Sequence, residues 1–179
     1  LLRDRAKRMH DMIDGILQYS RVGRVKERLE TVDTGEVIDE VIQLISPPER
    51  IKISIQSPLP VIKAEKLRVY QVFQNLLDNA IKYNDKERGQ IDISCSELAH
   101  DWQFCIADNG PGIDKKYQEK VFQLFQTLKP KDQSHGTGIG LSLIEKMVHN
   151  WGGKIWIESE VGQGCSVIFT LPKIIKKDE

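Results

Sequence analysis

The chain has 179 residues, 40% apolar and 29% charged, a composition that predicts one globular domain plus at most an appendage. Its 26 basic and 26 acidic residues cancel, so no net field draws it to nucleic acid or to a charged membrane surface. No apolar run approaches the roughly 18 residues of a membrane span and no signal peptide is visible, so neither a membrane segment nor export is expected and a cytoplasmic location is.

Residues 1–24 read as one helix. Leu2, Ala6, Met9, Ile13, Ile16, Ser20 and Gly23 are spaced alternately four and three apart, a heptad seam suited to packing against other long helices. The start at Leu1-Leu2-Arg3, in mid-pattern, suggests a piece of something longer. A polar linker is expected over 25–29. Thr34 is placed to cap a helix whose apolar face is Val37, Ile38, Val41, Ile42 and Ile45, and Pro47-Pro48 stops it. Ile51, Ile53 and Ile55 alternate with polar residues, as in a half-buried strand. A long helix is predicted from Glu65 to Tyr83 with Leu67, Tyr70, Phe73, Leu77, Ala80 and Ile81 inward.

Gln90–Ser96 and Trp102–Ala107 read as adjacent antiparallel strands. A helix over Lys115–Leu124, a polar stretch from Gln126 to His135, and a helix over Ile139–Trp151 ending at Gly152-Gly153 follow. Lys154–Glu160 and Cys165–Leu171 form a hairpin around Val161-Gly162-Gln163-Gly164, and the basic run at Lys173–Lys177 reads as a solvated terminus. Cys95, Cys105 and Cys165 lie in strand-like stretches without CxxC spacing, so they read as small, buried, unpaired residues. Helices and strands mix without strict βαβ alternation. The expected class is therefore α+β, a two-layer sandwich of a mostly antiparallel sheet with helices on one face, preceded by one long helix.

Four short motifs carry chemistry. Asn75 and Asn79 share a helix face with Lys82 one turn further on, two amides and an ammonium that suit a magnesium-bound polyphosphate. Asp108 ends the apolar strand Phe104–Ala107, and a carboxylate there needs a donor, for which an adenine amino group is one candidate. Gly110-Pro111-Gly112 makes a turn at which backbone can approach a planar ligand. Gly136-Thr137-Gly138-Ile139-Gly140-Leu141 precedes a helix, so N–H groups and the helix dipole can converge on an anion. The glycines fit neither the Rossmann fingerprint nor a Walker A loop. Each motif alone reads equally well as a solvated face, a surface turn or a glycine loop.

In combination and in this order, Asn75, Asn79, Asp108, Gly110, Gly112, Gly136, Gly138 and Gly140 resemble the N, G1 and G2 boxes of sensor histidine kinases. Phe122 and Phe125 resemble the F box, and Gly162-Gln163-Gly164 the final glycine turn. The resemblance implies the Bergerat ATP-binding fold over 30–175 with a tail at 176–179, and ATP and Mg²⁺ as ligands. It implies Asn79 as Mg²⁺ ligand with Asn75 beside it, Lys82 reaching phosphate, Tyr83 near the adenine ring and Asp108 accepting from the adenine amino group. Gly110, Gly112 and Ile113 would belong to the base pocket, and Gly136, Thr137, Gly138, Gly140 and Leu141 to the phosphate end. The segment from Asp114 to Thr137 would be a mobile lid anchored by Phe122 and Phe125, with Lys129, Lys131, Ser134 and His135 in it.

Residues 1–24, with Met12–Arg21, resemble the second helix of the kinases' dimerisation domain. That implies a homodimer in the longer protein and a response-regulator receiver domain as partner. His10-Asp11 imitates a phosphoacceptor, but His10 lacks the proline that usually follows one, so the acceptor is expected upstream. The related ATPases (gyrase, mismatch-repair proteins, the ninety-kilodalton chaperones) use a Glu one turn before the magnesium Asn. Here that place holds Asn75, which takes no proton at neutral pH, so hydrolysis is disfavoured as the main activity. A nucleotide-binding scaffold is the remaining alternative, and magnesium-dependent nucleotide binding separates it from a kinase.

Overall fold

A computed structural model describes residues 2–24, 28–127 and 137–174. Helix α1 spans Leu2–Arg21, and a short ribbon pairs β1 (Glu30–Asp33) antiparallel to β3 (Val61–Ala64), with α2 (Thr34–Ile45) and β2 (Ile51–Ile55) between them. Helix α3 (Lys66–Tyr83) leads to β4 (Gly89–Glu97) and β5 (Asp101–Asp108). A single turn of helix, α4 (Lys115–Gln118), and a 3₁₀ turn at Lys120–Phe122 precede α5 (Gly140–Asn150), β6 (Ile155–Glu160) and β7 (Gly164–Pro172). The main sheet has the order β2-β4-β5-β7-β6. Only β2 and β4 run parallel; the other pairings are antiparallel.

Register explains why one face of this sheet is greasy. Ile93 pairs with Ile106, Ile106 with Val167, and Val167 with Ile157, so inward residues fall in rows across four strands. Helices α3 and α5 close over these rows. At the centre Phe73 of α3 meets Phe104 edge-on at 5.5 Å between centroids, and Phe104 stacks on Phe169 at 5.1 Å. Burial of such rings is the largest single stabilising contribution in a core of this size. Trp151, at the end of α5, donates to the Glu65 carboxylate at 2.8 Å and ties that end of α5 to the start of α3. The α+β, two-layer arrangement is the one expected.

Local details differ from the sequence reading. Asp33, not Thr34, caps α2: its carboxylate accepts from Gly35 and Glu36, while the buried Thr34 hydroxyl donates to the Pro60 carbonyl at 2.7 Å. On α3 the buried stripe is Val69, Val72, Phe73, Leu76, Leu77 and Ala80, and Leu67 is 57% exposed. The helix beginning at Lys115 lasts one turn, because Val121 and Phe122 turn in a 3₁₀ step to bury beside Ile157. All three cysteines are free and half-buried.

Helix α1 carries two apolar stripes. The seam residues Met9, Ile13 and Ile16 are 64%, 54% and 45% exposed. Met12, Tyr19 and Val22, on another face, pack against the domain core. The lysine of α5, Lys146, donates to the Tyr19 carbonyl at 2.7 Å with its ammonium 4.2 Å from the Tyr19 ring centre. No helix among the described residues is long and apolar enough to cross a membrane.

Candidate functional site

The amide stripe of α3 faces the start of α5. A Cβ placed on Gly140 would lie 3.2 Å from Asn75 Oδ1 and 3.9 Å from Asn79 Nδ2, so the missing side chain leaves the two helices in near contact. The Asn75 amide nitrogen donates to the Gln71 carbonyl at 2.9 Å, which turns its oxygen toward Gly140. The Asn79 side chain makes no hydrogen bond among the described residues. Ile139, the N-cap of α5, offers no side-chain cap. The N–H groups of the first turn therefore keep their positive end of the helix dipole for whatever enters the gap. Lys82 lies further along α3, its ammonium 5.2 Å from the Tyr83 ring centre, and Tyr83 is 37% exposed.

The second half of the site is the end of β5. Asp108 pairs with Ile91 on one side and Cys165 on the other, and Cys165 pairs with Ser159. One row of side chains on the helix-facing side thus runs Ile91, Asp108, Cys165, Ser159. The Asp108 carboxylate accepts from the Gly110 N–H at 2.7 Å. Burial pushes its pKa up, the backbone N–H groups of Gly110 and Cys165 pull it back, and the Asp85 charge adds a small upward push. The Cys165 thiol is driven up to about 12, first by burial and then by the Asp108 charge, so it stays protonated.

The turn after Asp108 is seated on the β6–β7 hairpin. Gly162 N–H donates to the Pro111 carbonyl at 2.7 Å, and Ile113 N–H donates to Ser159 Oγ at 2.8 Å. Gly112 has φ +73°, and a Cβ there would collide with the Glu160 carbonyl. This glycine therefore serves the seating of the turn, since L side chains avoid that φ and no room exists for one.

Beyond the turn, Phe122 is buried, while the Phe125 side chain is 44% exposed. Phe125 is held through its backbone: at φ +66° its N–H donates to the Gly138 carbonyl at 2.8 Å. Gly136, Lys129, Lys131, Ser134 and His135, expected in the lid, lie outside the described residues. Thr137 and Gly140 join Asn75 around a cavity of about 320 Å³ whose far wall is α1, at Asp11, Asp14 and Gln18. Leu141 is half-buried against both Phe122's cluster and the main core. His10 stands apart, its side chain 76% exposed and its Nε2 3.2 Å from Asp14.

The chain that brings together an acceptor carboxylate, an amide stripe and an uncapped helix start is similar to known proteins over most of its length. Residues 64–175 match the family described as "Histidine kinase-, DNA gyrase B-, and HSP90-like ATPase". This chain belongs to that family. Within the family its relatives are histidine kinases. It is 36% identical over 176 residues to the methanogenesis regulatory histidine kinase FilI of Methanothrix harundinacea, covering 96% of this chain and 20% of that protein. It is 34% identical over 178 residues to the adaptive-response sensory kinase SasA of a Synechococcus strain, covering 95% of this chain and 47% of that one. The chain thus spans between about a fifth and a half of the length of these curated relatives. Among solved structures, the catalytic domain of the histidine kinase ThkA superposes with a TM-score of 0.70 at 30% identity, over 82% of this chain and 96% of that one. Full-length ShkA in complex with AMPPNP gives 0.74 at 28% identity, over 90% and 35%. The chain therefore carries the ATP-binding catalytic domain of a histidine kinase.

Three residues of this kinase domain's site escape a sequence reading: Cys165, Asn84 and Asn109. Cys165 reads as a generic buried thiol, although its place directly after Gly164 puts it level with Asp108 once strand register is known. Asn84 and Asn109 look like ordinary turn residues. They bond to each other across 25 residues, and Asn109 also to the backbone of Arg88 and Gln90, so no local pattern marks the pair.

Proposed function

We propose that this domain holds ATP·Mg²⁺ and presents the γ-phosphoryl group to a histidine imidazole outside the present sequence, for relay to a response-regulator aspartate. The observation that carries the reading is the approach of Gly140 to Asn75 and Asn79. It leaves the Asn75 amide oxygen, the Asn79 side-chain amide and uncapped N–H groups facing one space, which suits a polyphosphate with a hard cation.

Asn79 and Asn75 would hold Mg²⁺ through their amide oxygens, with Lys82 serving phosphate. Two neutral oxygen donors fit a cation that keeps several waters and shares its ligands with substrate phosphates. Among the described residues no cluster of three His, Cys, Asp or Glu competes for a metal. A bound Mg²⁺ supplies charge neutralisation to the polyphosphate. Asp108 would accept from the adenine amino group, on a floor that includes Cys165, with Gly110, Gly112, Ile113 and Tyr83 around the base. Thr137, Gly138, Gly140 and Leu141 would position phosphate from the α5 side, and Gly136 would join them.

In the transfer a nitrogen–phosphorus bond forms as the bond from the γ-phosphorus to the bridging oxygen breaks, and ADP leaves. The protein's contribution is positioning and electrostatics. Water activation is not supported, because position 75 offers an amide whose nitrogen is already donated to Gln71. We assign 1–24 to a dimerisation helix, 25–29 to a linker and 30–175 to the catalytic domain, with 176–179 a tail. The exposed seam Met9–Ile13–Ile16 supports a homodimer in the longer protein. The test is titration of the chain with ATP at fixed Mg²⁺, together with ATP labelling of the full-length protein. Asn79→Asp and Asp108→Asn should each abolish labelling; unchanged labelling in both would sink the assignment.

A further inference from the structure

Asn84 is one of four buried polar residues among those described, at 4% exposure, and it is the C-cap of α3. Its amide orientation is fixed by its partners. The oxygen accepts the Lys86 N–H at 3.0 Å, so the nitrogen is the donor to Asn109 Oδ1, at 3.0 Å. Asn109 is fixed in the same way: its oxygen also accepts the Gln90 N–H at 2.8 Å, and its nitrogen donates to the Arg88 carbonyl at 3.1 Å. Every polar atom of both side chains is therefore engaged, in a network joining the end of α3, the start of β4 and the turn after β5. Such a fully satisfied network, anchored on the buried Asn84, holds its members to one geometry.

The placement matters more than the count. Asn109 stands between Asp108 and Gly110, whose N–H meets the Asp108 carboxylate. Asn84 directly follows Lys82-Tyr83, and its Cα lies 3.5 Å from where a Gly110 Cβ would be. The C-terminal end of the α3 helix and the turn after β5 are thus tied by one amide pair. We infer that the Asn84–Asn109 bond is a positioning contact that sets the spacing between the α3 amide stripe and Asp108, and so selects an adenine nucleotide over one with a different base. Neither side chain is a catalytic residue. The inference rests on the proposed ATP site.

Two isosteric, charge-matched variants isolate the bond. Asn84→Asp keeps the acceptor for Lys86 and turns the donor into an oxygen facing the Asn109 oxygen. Asn109→Asp keeps the acceptor for Asn84 and Gln90 and loses only the bond to Arg88. ATP and GTP are titrated against the full chain at fixed Mg²⁺, with Asp108→Asn as reference. Asn84→Asp should raise the ATP Kd about tenfold, and at least about fivefold more than Asn109→Asp, while the GTP Kd moves less than about twofold. If Asn84→Asp does not fold, Asn84→Ser, whose shorter side chain withdraws its hydroxyl from Asn109 without adding charge, takes its place with the same expectation.

Equal ATP losses in the two Asp variants, or equal losses for ATP and GTP, would overturn the inference and leave a structural bond only. If the unaltered chain binds no ATP, the site reading itself fails and takes the inference with it. If it binds ATP, loses it in Asp108→Asn and keeps it in Asn84→Asp, the site stands and the pair has no role in it.

Discussion

Gly138 and Phe125 meet through one backbone hydrogen bond, both in left-handed conformations that are free for glycine and costly for phenylalanine. The Phe125 N–H donates to the Gly138 carbonyl at 2.8 Å, with φ at +66° and +69° respectively. A Cβ on Gly138 would lie 2.7 Å from the Phe125 carbonyl carbon and the Gln126 oxygen. The bond closes the neck of the segment between them, so the span from Gln126 to Thr137 begins and ends at one point. A left-handed conformation costs a non-glycine residue about 1–2 kcal/mol, and it persists where surrounding contacts enforce it.

Gly138→Ala should therefore open that neck. Both the φ and the backbone collision oppose the methyl group, and we expect a loss of about 2 kcal/mol or more at this locus. Limited proteolysis should show faster cutting between 126 and 138 than in the unaltered chain. Phe125→Gly should do the reverse, since glycine accepts the same φ without strain. Equal protease sensitivity in all three proteins would refute the neck.

Gly140→Ala separates stability from binding. Alanine is better than glycine in a helix by up to about 1 kcal/mol, so Tm should hold or rise. The new methyl would stand 3.2 Å from Asn75 Oδ1, within the space assigned to the cation and phosphates. Magnesium-dependent ATP affinity should fall about tenfold or more. Calorimetric titration of folded protein decides it, and undiminished affinity would remove Gly140 from the site.

Asp108 predicts an acid limit for nucleotide binding. Its pKa is raised above the ordinary 3.8, first by burial, so on acidification it takes a proton earlier than a free carboxyl does. The protonated group no longer offers the adenine amino group a charged acceptor. ATP affinity should fall as the pH drops through a value above 3.8, and Asp108→Asn should flatten that dependence. The stability contribution has the opposite sign. A carboxyl raised on folding favours the fold below its unfolded value and loses that contribution as pH rises through its folded value. A Kd series against pH, with Tm followed in parallel, separates the two.

Lys146→Ala should release α1 from the domain. It removes both the bond to the Tyr19 carbonyl and the ammonium over the ring, together about 1–2 kcal/mol at a half-buried site. Tyr19→Ala removes the ring's packing against the core as well as the cation–π contact, and should cost at least as much. Amide exchange across Met12–Val22 is the measurement. Protection that survives Lys146→Ala would mean that Met12 and Val22 hold the helix without it.

The parts of this fold legible in the sequence were those written in periodicity. The alternating strands, the α2 face and the hairpin at Gly162 all reappear, because a period of two or 3.6 maps directly onto a buried face. What failed did so where a distant contact overrode the local pattern. Leu67 fits the helical stripe, yet the stripe that faces Phe104 and Phe169 is turned toward Val69, Val72 and Leu76. Thr34 is a good cap, but Pro60 claims its hydroxyl. The site was legible as motifs, each ambiguous alone. Their juxtaposition, Gly140 against Asn75 and Cys165 level with Asp108, depends on strand order and helix packing that no local window contains.

The two apolar faces of α1 cannot be repositioned independently of each other. Tyr19 and Val22 grip the catalytic domain, while Met9, Ile13 and Ile16 point elsewhere. Successive helix residues are about 100° apart around the axis, so a roll of that helix cannot improve one grip without disturbing the other. A change in the roll of α1 would therefore reshape the wall of the cavity that Asp11, Asp14 and Gln18 share with Asn75 and Gly140.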